Sequence, residues 1–457
     1  MSSLFGLLSI ARDGMQAQTA GLSVASQNIA GAASPDYVKR RVRLETPPVA
    51  GDAGGGVLVA GIDRNVDAFA TARVVEQEGR LASAQTREGV LANFEVLASP
   101  IGDNVLDRMD ALFASFTDVA STPADNGARE AALARAEGVA LRFNEIASTI
   151  SDTRQELYLR AQSEVGEINQ RLDRLAEINM QVIEAVGRGE NAADLRDQRD
   201  LLVREVGQRL GVHGSEDPTG NLTLYGAGTT LIDRDQGVHL QVALDATGAL
   251  AFAVDRRGTA SDVTAAIESG TLGGIRRARD EDIASLSADI DQLAYDFTSA
   301  MNALHTSGYG LDGATGRPLF TPLAGVGGAA GTMQLDVAMR GHPERLGASA
   351  SAGEVPGGNA VARKLADFGN VTLGAGGTAA ERAASFSERL GFMKADATSE
   401  VQLREDTVTT AHSLREATSG VSTDEELVDM QQFQRAYQAS LRVMRTADEL
   451  LQELMRI

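Results

Sequence analysis

The sequence predicts a mainly α-helical protein with small β insertions, an α+β chain of several domains whose N- and C-terminal helices pair as a coiled coil. Three observations support this fold class. Apolar residues recur at intervals of three and four at both ends of the chain. Residues 67–209 have the sequence pattern of helices over almost their whole length. Residues 211–274 instead alternate short apolar runs with Gly, Asp and Thr turns, which indicates antiparallel strands.

The apolar stripe at each end is narrow, which is typical of a helix that packs against a partner helix. Gln18 interrupts the first stripe, in a helix predicted from Ser3 to Ala30. Because the two stripes lie at opposite ends of the sequence, we expect the chain to begin and end in the same part of the molecule. The alternative is a pair of ordinary packing helices. The stripes predict an assembly interface formed by Leu4, Leu8, Met15, Leu22, Ile29, Met430, Phe433, Tyr437, Leu441, Met444, Leu451 and Leu454.

Between the stripes, helix-breaking residues and the spacing of apolar residues indicate where the remaining helices and strands lie. The turn at 34–36 ends the first helix, because Pro cannot continue it. Residues 142–186 predict one helix of about 45 residues, which is longer than globular domains normally hold. Ser422 or Thr423 is predicted to cap the last helix. The other predicted elements are strands at 37–44, 57–62, 221–225, 238–242 and 250–254, and helices at 280–305 and 379–415. We find no repeat of fixed period.

These elements predict a chain of four parts. A chain of 457 residues is too long for one compact core and is expected to hold two to four domains. The parts are a coiled-coil domain (1–33 and 420–457), a long helical rod domain (34–210, 275–306 and 378–419), a small antiparallel β insertion (211–274) and a Gly-rich irregular or β outer segment (307–377).

The composition restricts the possible partners. Lys plus Arg number 42 against 63 Asp plus Glu, a net charge of −21, which disfavours nucleic acid and anionic membrane surfaces. Without Cys, no disulfide or thiolate chemistry is possible. No apolar stretch approaches the roughly 18 residues of a membrane span. The apolar start, 1–11, lacks a basic leader, so we expect no cleaved signal peptide. The protein is then expected either to stay in the cytoplasm or to leave it by a route that does not cleave a signal.

No catalytic, cofactor-binding or metal-binding residue is predicted. The five histidines lack the spacing of metal ligands, and each is predicted to be a surface or turn residue: His213, His239, His305, His342 and His412. The glycine runs lack the G-K-[ST] ending of a phosphate-binding loop, and no G-x-S-x-G elbow occurs. An enzyme is therefore not supported.

Short motifs stand near both ends of the chain. The N-terminal ones are Ser26-Gln27-Asn28-Ile29-Ala30 and Ser34-Pro35-Asp36-Tyr37, and the C-terminal ones are Ser419-Gly420-Val421-Ser422-Thr423-Asp424-Glu425-Glu426 and Thr446-Ala447-Asp448-Glu449. They resemble the N-N-I-A-N-x-N-T-P-G-Y, S-G-V-x-x-D-E-E and T-A-D-E motifs of the flagellar rod, hook and hook-associated protein family. Asp36 departs from the family pattern, which has Gly after Pro.

Interior motifs resemble the hook-associated branch of this family. The similar segments are 191–200, with Asp194-Leu195-Arg196-Asp197-Gln198-Arg199-Asp200, then 272–274, 302–305 and 308–313. The segment at 308–377 is small for the outer domains that many members of the family carry, which leaves open whether an outermost domain is missing.

The resemblance implies an elongated axial subunit that assembles with copies of itself between hook and filament and allows the filament to grow. A hook or rod subunit is the alternative, which the long helical middle disfavours. The implied partners are the hook protein, a second hook–filament junction protein and an export chaperone. The implied location is the extracellular flagellum, reached by export without a cleaved signal peptide.

Overall fold

The computed structural model of the protein describes residues 2–33, 37–46, 56–98, 103–256, 258–374 and 376–456. The prediction of a mainly α fold with small antiparallel sheets is confirmed. The helices are α1 (Ser2–Gly31), α2 (Ala68–Ala98), α3 (Val105–Ser121), α4 (Asn126–Gly187), α5 (Ala193–Leu210), α6 (Gly270–Arg277), α7 (Ile283–His305), α8 (Ala329–Thr332), α9 (Ala360–Ala366), α10 (Ala379–Ser419) and α11 (Thr423–Arg456). The turn predicted at 34–36 lies outside the described residues.

The strands form three antiparallel sheets within the described residues. They are β1 (Arg40–Glu45), β2 (Leu58–Arg64), β3 (Val212–Glu216), β4 (Leu222–Gly226), β5 (Thr229–Asp233), β6 (Gln236–Gly237), β7 (His239–Leu244), β8 (Leu250–Arg256) and β9 (Thr259–Asp262). β1 pairs with β2, β3 to β6 form a second sheet in sequence order, and β7 to β9 form a third. The β insertion at 211–274 thus holds two sheets.

Helix α4 organises the middle of the chain. It contains 62 residues and is about 93 Å long, so it extends the helix predicted at 142–186 toward the N-terminus. Asp125 caps its start by accepting the Gly127 N–H at 2.8 Å. The Asn169 side-chain amide donates to the Leu240 carbonyl and accepts the Leu240 N–H. The Asn179 side-chain amide makes the same two bonds with Leu222. These side chains therefore fasten both sheets of the β insertion along one helix.

The two sheets of the β insertion contain the same turn. In the β3–β4 hairpin the Asp217 carboxylate accepts bonds from the backbone and hydroxyl of Thr219. In the β7–β8 hairpin Asp245 does the same with Thr247. These bonds lower the pKa of both carboxyls, those from the threonine hydroxyls most. This D-x-T-G motif was not predicted as a repeat, because two short copies carry little periodic signal.

A helical core surrounds Phe297 of α7. Its ring lies 5.6–6.5 Å, between centroids, from the rings of Phe113, Phe143, Phe320 and Phe368. Phe320 and Phe368 belong to the Gly-rich stretch 307–377, so that stretch packs into the same core as α3, α4 and α7. Its irregular backbone is held by side chains, since the Asn302 carboxamide accepts the N–H groups of residues 319 and 320 at 2.9 Å.

Helices α2 and α10 pack side by side in opposite directions. Lys394 pairs with Glu95 at 2.6 Å, and His412 with Glu78 at 3.0 Å near the other end of the pair. Burial raises the pKa of Glu78, but hydrogen bonds from Arg204 and Gln208 outweigh this, so the pKa lies below its ordinary value. Between these ends, the buried Arg87 binds Asp282 through two nitrogens at 2.8 and 3.1 Å.

The prediction that all five histidines are surface or turn residues is wrong for His305, which is only 1% exposed. Its Nδ1 lies 2.8 Å from the Arg317 carbonyl oxygen, and its Nε2 accepts the Gly347 N–H at 3.0 Å. A carbonyl can only accept and an N–H can only donate, so these neighbours specify the neutral ring with its proton on Nδ1. Burial lowers the pKa of His305 to about 4.

We expect His305 to make folding sensitive to mild acid. Its pKa falls from an ordinary 6.5 to about 4, so between these values the unfolded chain binds a proton that the folded chain does not. The free energy of unfolding should fall by about 2 kcal/mol from pH 7 to pH 5 through this group alone. Urea unfolding at both pH values measures it. His305→Gln should flatten this dependence and His239→Gln, an exposed control, should not; equal slopes in both would contradict the assignment.

Candidate assembly interface

The two ends of the chain meet in one unit. We call β1, β2, α1 and α11 the terminal module, and residues 68–419 the body. Helices α1 and α11 run in opposite directions along each other: residues 14, 21 and 28 of α1 lie opposite 440, 433 and 426 of α11. Each step is seven residues on both helices, which is the heptad spacing of a coiled coil. The predicted pairing of the ends is therefore antiparallel.

Glycine brings the two helices close together. A Cβ atom on Gly21 would lie 2.6 Å from the Phe433 ring, and one on Gly14 would lie 3.1 Å from the Ser440 hydroxyl oxygen. Contacts under about 3 Å are not tolerated between carbon atoms, so Gly21 makes room for the Phe433 ring. Neither Gly14 nor Gly21 was predicted to lie at an interface, and their seven-residue spacing is the only sequence signal of it.

The predicted interface residues lie in the module, half-exposed. This holds for the ten whose side chains are described: Leu8, Met15, Leu22, Ile29, Met430, Phe433, Tyr437, Leu441, Met444 and Leu451. The side chains of Leu4 and Leu454 lie outside the described part of the chain. On α11 the half-exposed residues alternate with fully exposed ones, and Phe433 contacts Gly21 of α1.

On α1 the buried face includes Ala11 and Ala25, which belong to the predicted apolar stripe, together with Ala17 and Val24, which do not. Ala11, Ala17, Val24 and Ala25 are each less than 5% exposed. They are small, as the close approach of the two helices requires. The larger predicted residues of α1 lie beside this face, where part of their apolar surface remains open.

A buried polar cluster joins α1, β1 and α11. Lys39, Glu426 and Asn28 are 5%, 3% and 1% exposed. The Lys39 Nζ lies 3.0 Å from Glu426 Oε1, while the Asn28 amide donates to Glu426 Oε2 at 2.9 Å. Asn28 also bonds both backbone groups of Arg40 and accepts the Tyr37 hydroxyl at 2.9 Å. The cluster is built from the N-terminal S-Q-N-I-A and C-terminal D-E-E motifs.

The electrostatics of the cluster favour a charged lysine. Burial alone lowers the pKa of Lys39, but hydrogen bonds to Glu426 and Glu425 outweigh it and raise the pKa above the ordinary value. Burial raises the pKa of the Tyr37 hydroxyl, so it stays a donor to Asn28. The last helix starts beside this cluster, where Ser422 accepts the Glu425 N–H at 3.4 Å. Of the two predicted caps, Ser422 is the one used.

Within the described residues, no group of three or more His, Asp and Glu is placed to hold a metal ion. His213 stacks on Tyr225, and His342 lies against Glu344. Among the helices in that part of the chain, none has the length and apolar character needed to cross a bilayer.

We expect Glu426→Gln to weaken the terminal module strongly. The change leaves Lys39 buried beside only Glu425, whose side chain is 70% exposed, and breaking a buried pair costs about 3–5 kcal/mol. Hydrogen exchange of the α1 and α11 amides measures the loss. Glu425→Gln is the matched control and should cost about 1 kcal/mol or less. Similar loss in both variants would show that the buried pair has no special role.

We expect Gly21→Leu to force α1 and α11 apart. The new side chain meets the Phe433 ring, and overpacking of this kind costs about 1–3 kcal/mol. Gly6→Leu is the control in the same helix, because no atom lies within 4 Å of a Cβ there. Protection of the α11 amides from hydrogen exchange should fall in Gly21→Leu alone. Unchanged protection would refute the close packing at Gly21.

Comparisons with known proteins agree with these features. Residues 91–320 match the flagellar hook-associated protein FlgK helical domain, and residues 415–457 match the flagellar basal body rod FlgEFG protein C-terminal family. Flagellar hook-associated protein 1 of Salmonella typhimurium is 28% identical over 327 residues, 69% of this chain and 59% of that protein. This match spans less than two thirds of the relative's length.

Two further matches cover different shares of the chain. Flagellar hook-associated protein 1 of Bacillus subtilis is 26% identical over 504 residues, 99% of this chain and 98% of that protein. The flagellar hook junction protein FlgK from Burkholderia pseudomallei has a similar fold, with a TM-score of 0.51 and 22% identity over 55% of this chain and 46% of that one. Since the helical-domain model matches residues 91–320, half of the 457, this chain belongs to the flagellar hook-associated protein FlgK family.

Proposed function

We propose that this protein is a structural subunit of the bacterial flagellum that assembles between hook and filament and allows the filament to grow. The observation that carries the proposal is the match of residues 91–320 to the helical domain of hook-associated proteins. A hook or rod subunit is the second candidate, supported by the match of residues 415–457 to a rod family. That match covers only the last 43 residues, so the helical middle favours the junction.

The terminal module supports a role in assembly. Its half-exposed apolar residues are proposed to bury their remaining surface against neighbouring copies. Burying a large apolar side chain contributes about 1.5–3 kcal/mol, of which ordering costs offset a part. Helix α11 also exposes Val428 (61%), Val443 (46%) and Leu450 (45%) on its other sides. One helix thus offers apolar surface in several directions, as a subunit of a tube requires.

We propose a domain organisation that fits this role in assembly. Residues 1–33 and 420–457 form the inner coiled-coil domain, and the other described helices form most of the rod domain around it. The β insertion at 211–274 and the stretch at 307–377 lie outside the coiled coil. A long helix such as α4 suits a subunit that spans the radial distance from an inner tube to an outer surface.

The proposed partners follow from this position. They are further copies of the chain, the hook protein on one side and a second hook–filament junction protein on the other. An export chaperone is proposed to cover α11 before secretion, since exposed apolar residues on that helix need protection. We propose that the protein reaches the outside of the cell without a cleaved signal peptide. The acidic charge, −21, disfavours nucleic acid and membrane as partners.

Deletion of the gene tests the junction role. We expect cells with hooks but without filaments, and flagellin lost to the medium, as seen by electron microscopy and by assay of the medium. Cells without hooks would instead assign the protein to the rod or hook. Cells with normal filaments would contradict a role in the flagellum.

Leu441→Asp tests the interface. A carboxylate in the half-exposed stripe would be desolvated on assembly, so the variant should be exported but should not restore filaments in the deletion strain. Gln438→Asp, at a fully exposed position one turn earlier, is the control and should restore them. A normal number of filaments with Leu441→Asp would show that Leu441 is not part of the assembly interface.

A further inference from the structure

The body contains two hydrophobic cores that are separate from each other. One is the helical core around Phe297, and the other packs the β insertion against α4, α5 and α6. On α4 the first core ends at Ile150 and the second begins at Leu157, and on α2 the change falls between Val90 and Phe94. We call the two parts of the body the Phe297 unit and the insertion unit, and the level between them the waist.

Polar residues occupy α4 where it crosses the waist. Residues 151–156 are all polar, and none of them is buried. A groove of about 400 Å³ separates α4 from α2 at this level, and its lining includes Thr153 and Glu156 of α4 and Thr86 and Asn93 of α2. Over this segment α4 therefore contributes no apolar side chain to either core.

The connection between α6 and α7 changes its helix type at the waist. A π-helical turn, Ala278–Asp282, joins the two helices. Ala278 belongs to the core of the insertion unit, and Ile283, the first residue of α7, belongs to the core around Phe297. Because helices kink readily at π turns, this connection can absorb a change of angle between the units.

Two buried arginines bind across the waist. Arg87 of α2 is 5% exposed, donates to both carboxylate oxygens of Asp282 in the π-helical turn, and binds Asp396 of α10 at 2.9 Å. Arg279, in the same turn, is 3% exposed and donates to the Arg154 carbonyl of α4 at 2.9 Å. These bonds connect α2, α4, α10 and the π-helical turn at one level.

Three long helices, α2, α4 and α10, run through the waist as well. Any movement there is therefore a bend, since a free rotation would break these helices. Long helices curve gently in folded proteins, so a bend can be spread over several turns. Ala84, Leu91 and Ala397 are buried near this level but belong to neither core.

We propose that the body consists of two rigid units that bend relative to each other at the waist, and that the bonds of Arg87 and Arg279 limit the bend. Each core lies on one side of the waist, so bending divides neither of them. The π-helical turn and residues 151–156 absorb the change, because the groove leaves space for α4 to approach α2. This property belongs to the body and depends neither on the terminal helices nor on the proposed function.

Distance measurements between paired spin labels in the full chain test the proposal. The chain has no Cys, so two introduced cysteines are labelled uniquely. Val337→Cys with Gln241→Cys spans the waist. Val337→Cys with Ala134→Cys lies within the Phe297 unit, and Gln241→Cys with Gln170→Cys lies within the insertion unit; all four positions are exposed.

Each label pair is placed in three backgrounds. They are the wild type, a waist variant with Arg87→Gln and Asp282→Asn, and a control with Arg80→Gln and Glu76→Gln. The waist variant changes both members of the buried pair, so neither Arg87 nor Asp282 is left charged without the other. The control removes an exposed ion pair from the same helix, α2.

In the wild type, we expect the distance distribution across the waist to be about twice as broad as those within the units. It should broaden further in the waist variant alone, while both distributions within the units stay unchanged in every background. Equal breadth of all three distributions in the wild type would overturn the bend. A waist variant no broader than the wild type would overturn the role of Arg87, and broadening of all three pairs in that variant would overturn the separation into two units.

Discussion

The contact between Lys39 and Glu426, with Asn28 beside it, is the interaction on which the arrangement of the chain ends depends. It draws on residues from the two extremes of the sequence and is buried, so it requires α1, β1 and α11 to be present together. A buried charge left without its partner is costly, and the cluster therefore penalises any shift of α11 along α1. The heptad contacts at Gly14 and Gly21 share that register. Polar and apolar contacts thus specify one pairing of the ends.

The other constraint is the length of α4. Both sheets of the β insertion and the helical core around Phe297 pack along it, so it connects two hydrophobic clusters that share few other elements. The terminal module contributes to neither cluster. The body thus has its own hydrophobic cores, while the module contains its own buried ion pair.

Much of the fold could be predicted from periodicity, because long amphipathic helices and alternating strands leave strong local signals. The terminal stripes located α1 and α11 to within one or two residues. The direction of their pairing could not be predicted, because it depends on which small residues face the partner, and a glycine adds no apolar side chain to a stripe. Asn28 and Glu426 stand in motifs that resemble those of the family, but only the folded chain brings their side chains to 2.9 Å. His305 was misplaced because its burial depends on the distant residues Arg317 and Gly347.

The most direct test of the antiparallel register is a disulfide across it. A Cβ on Gly14 lies 3.9 Å from the Ser440 Cβ, which is within the range that a disulfide bridges, and the natural chain has no competing Cys. The purified Gly14→Cys/Ser440→Cys variant should form an intramolecular bond almost completely on mild oxidation, seen as faster migration on a denaturing gel. The Gly14→Cys/Gln438→Cys control, whose second cysteine lies on the exposed side of α11, should not. Failure of the first pair to cross-link, or equal cross-linking of both, would contradict the pairing of the chain ends described above.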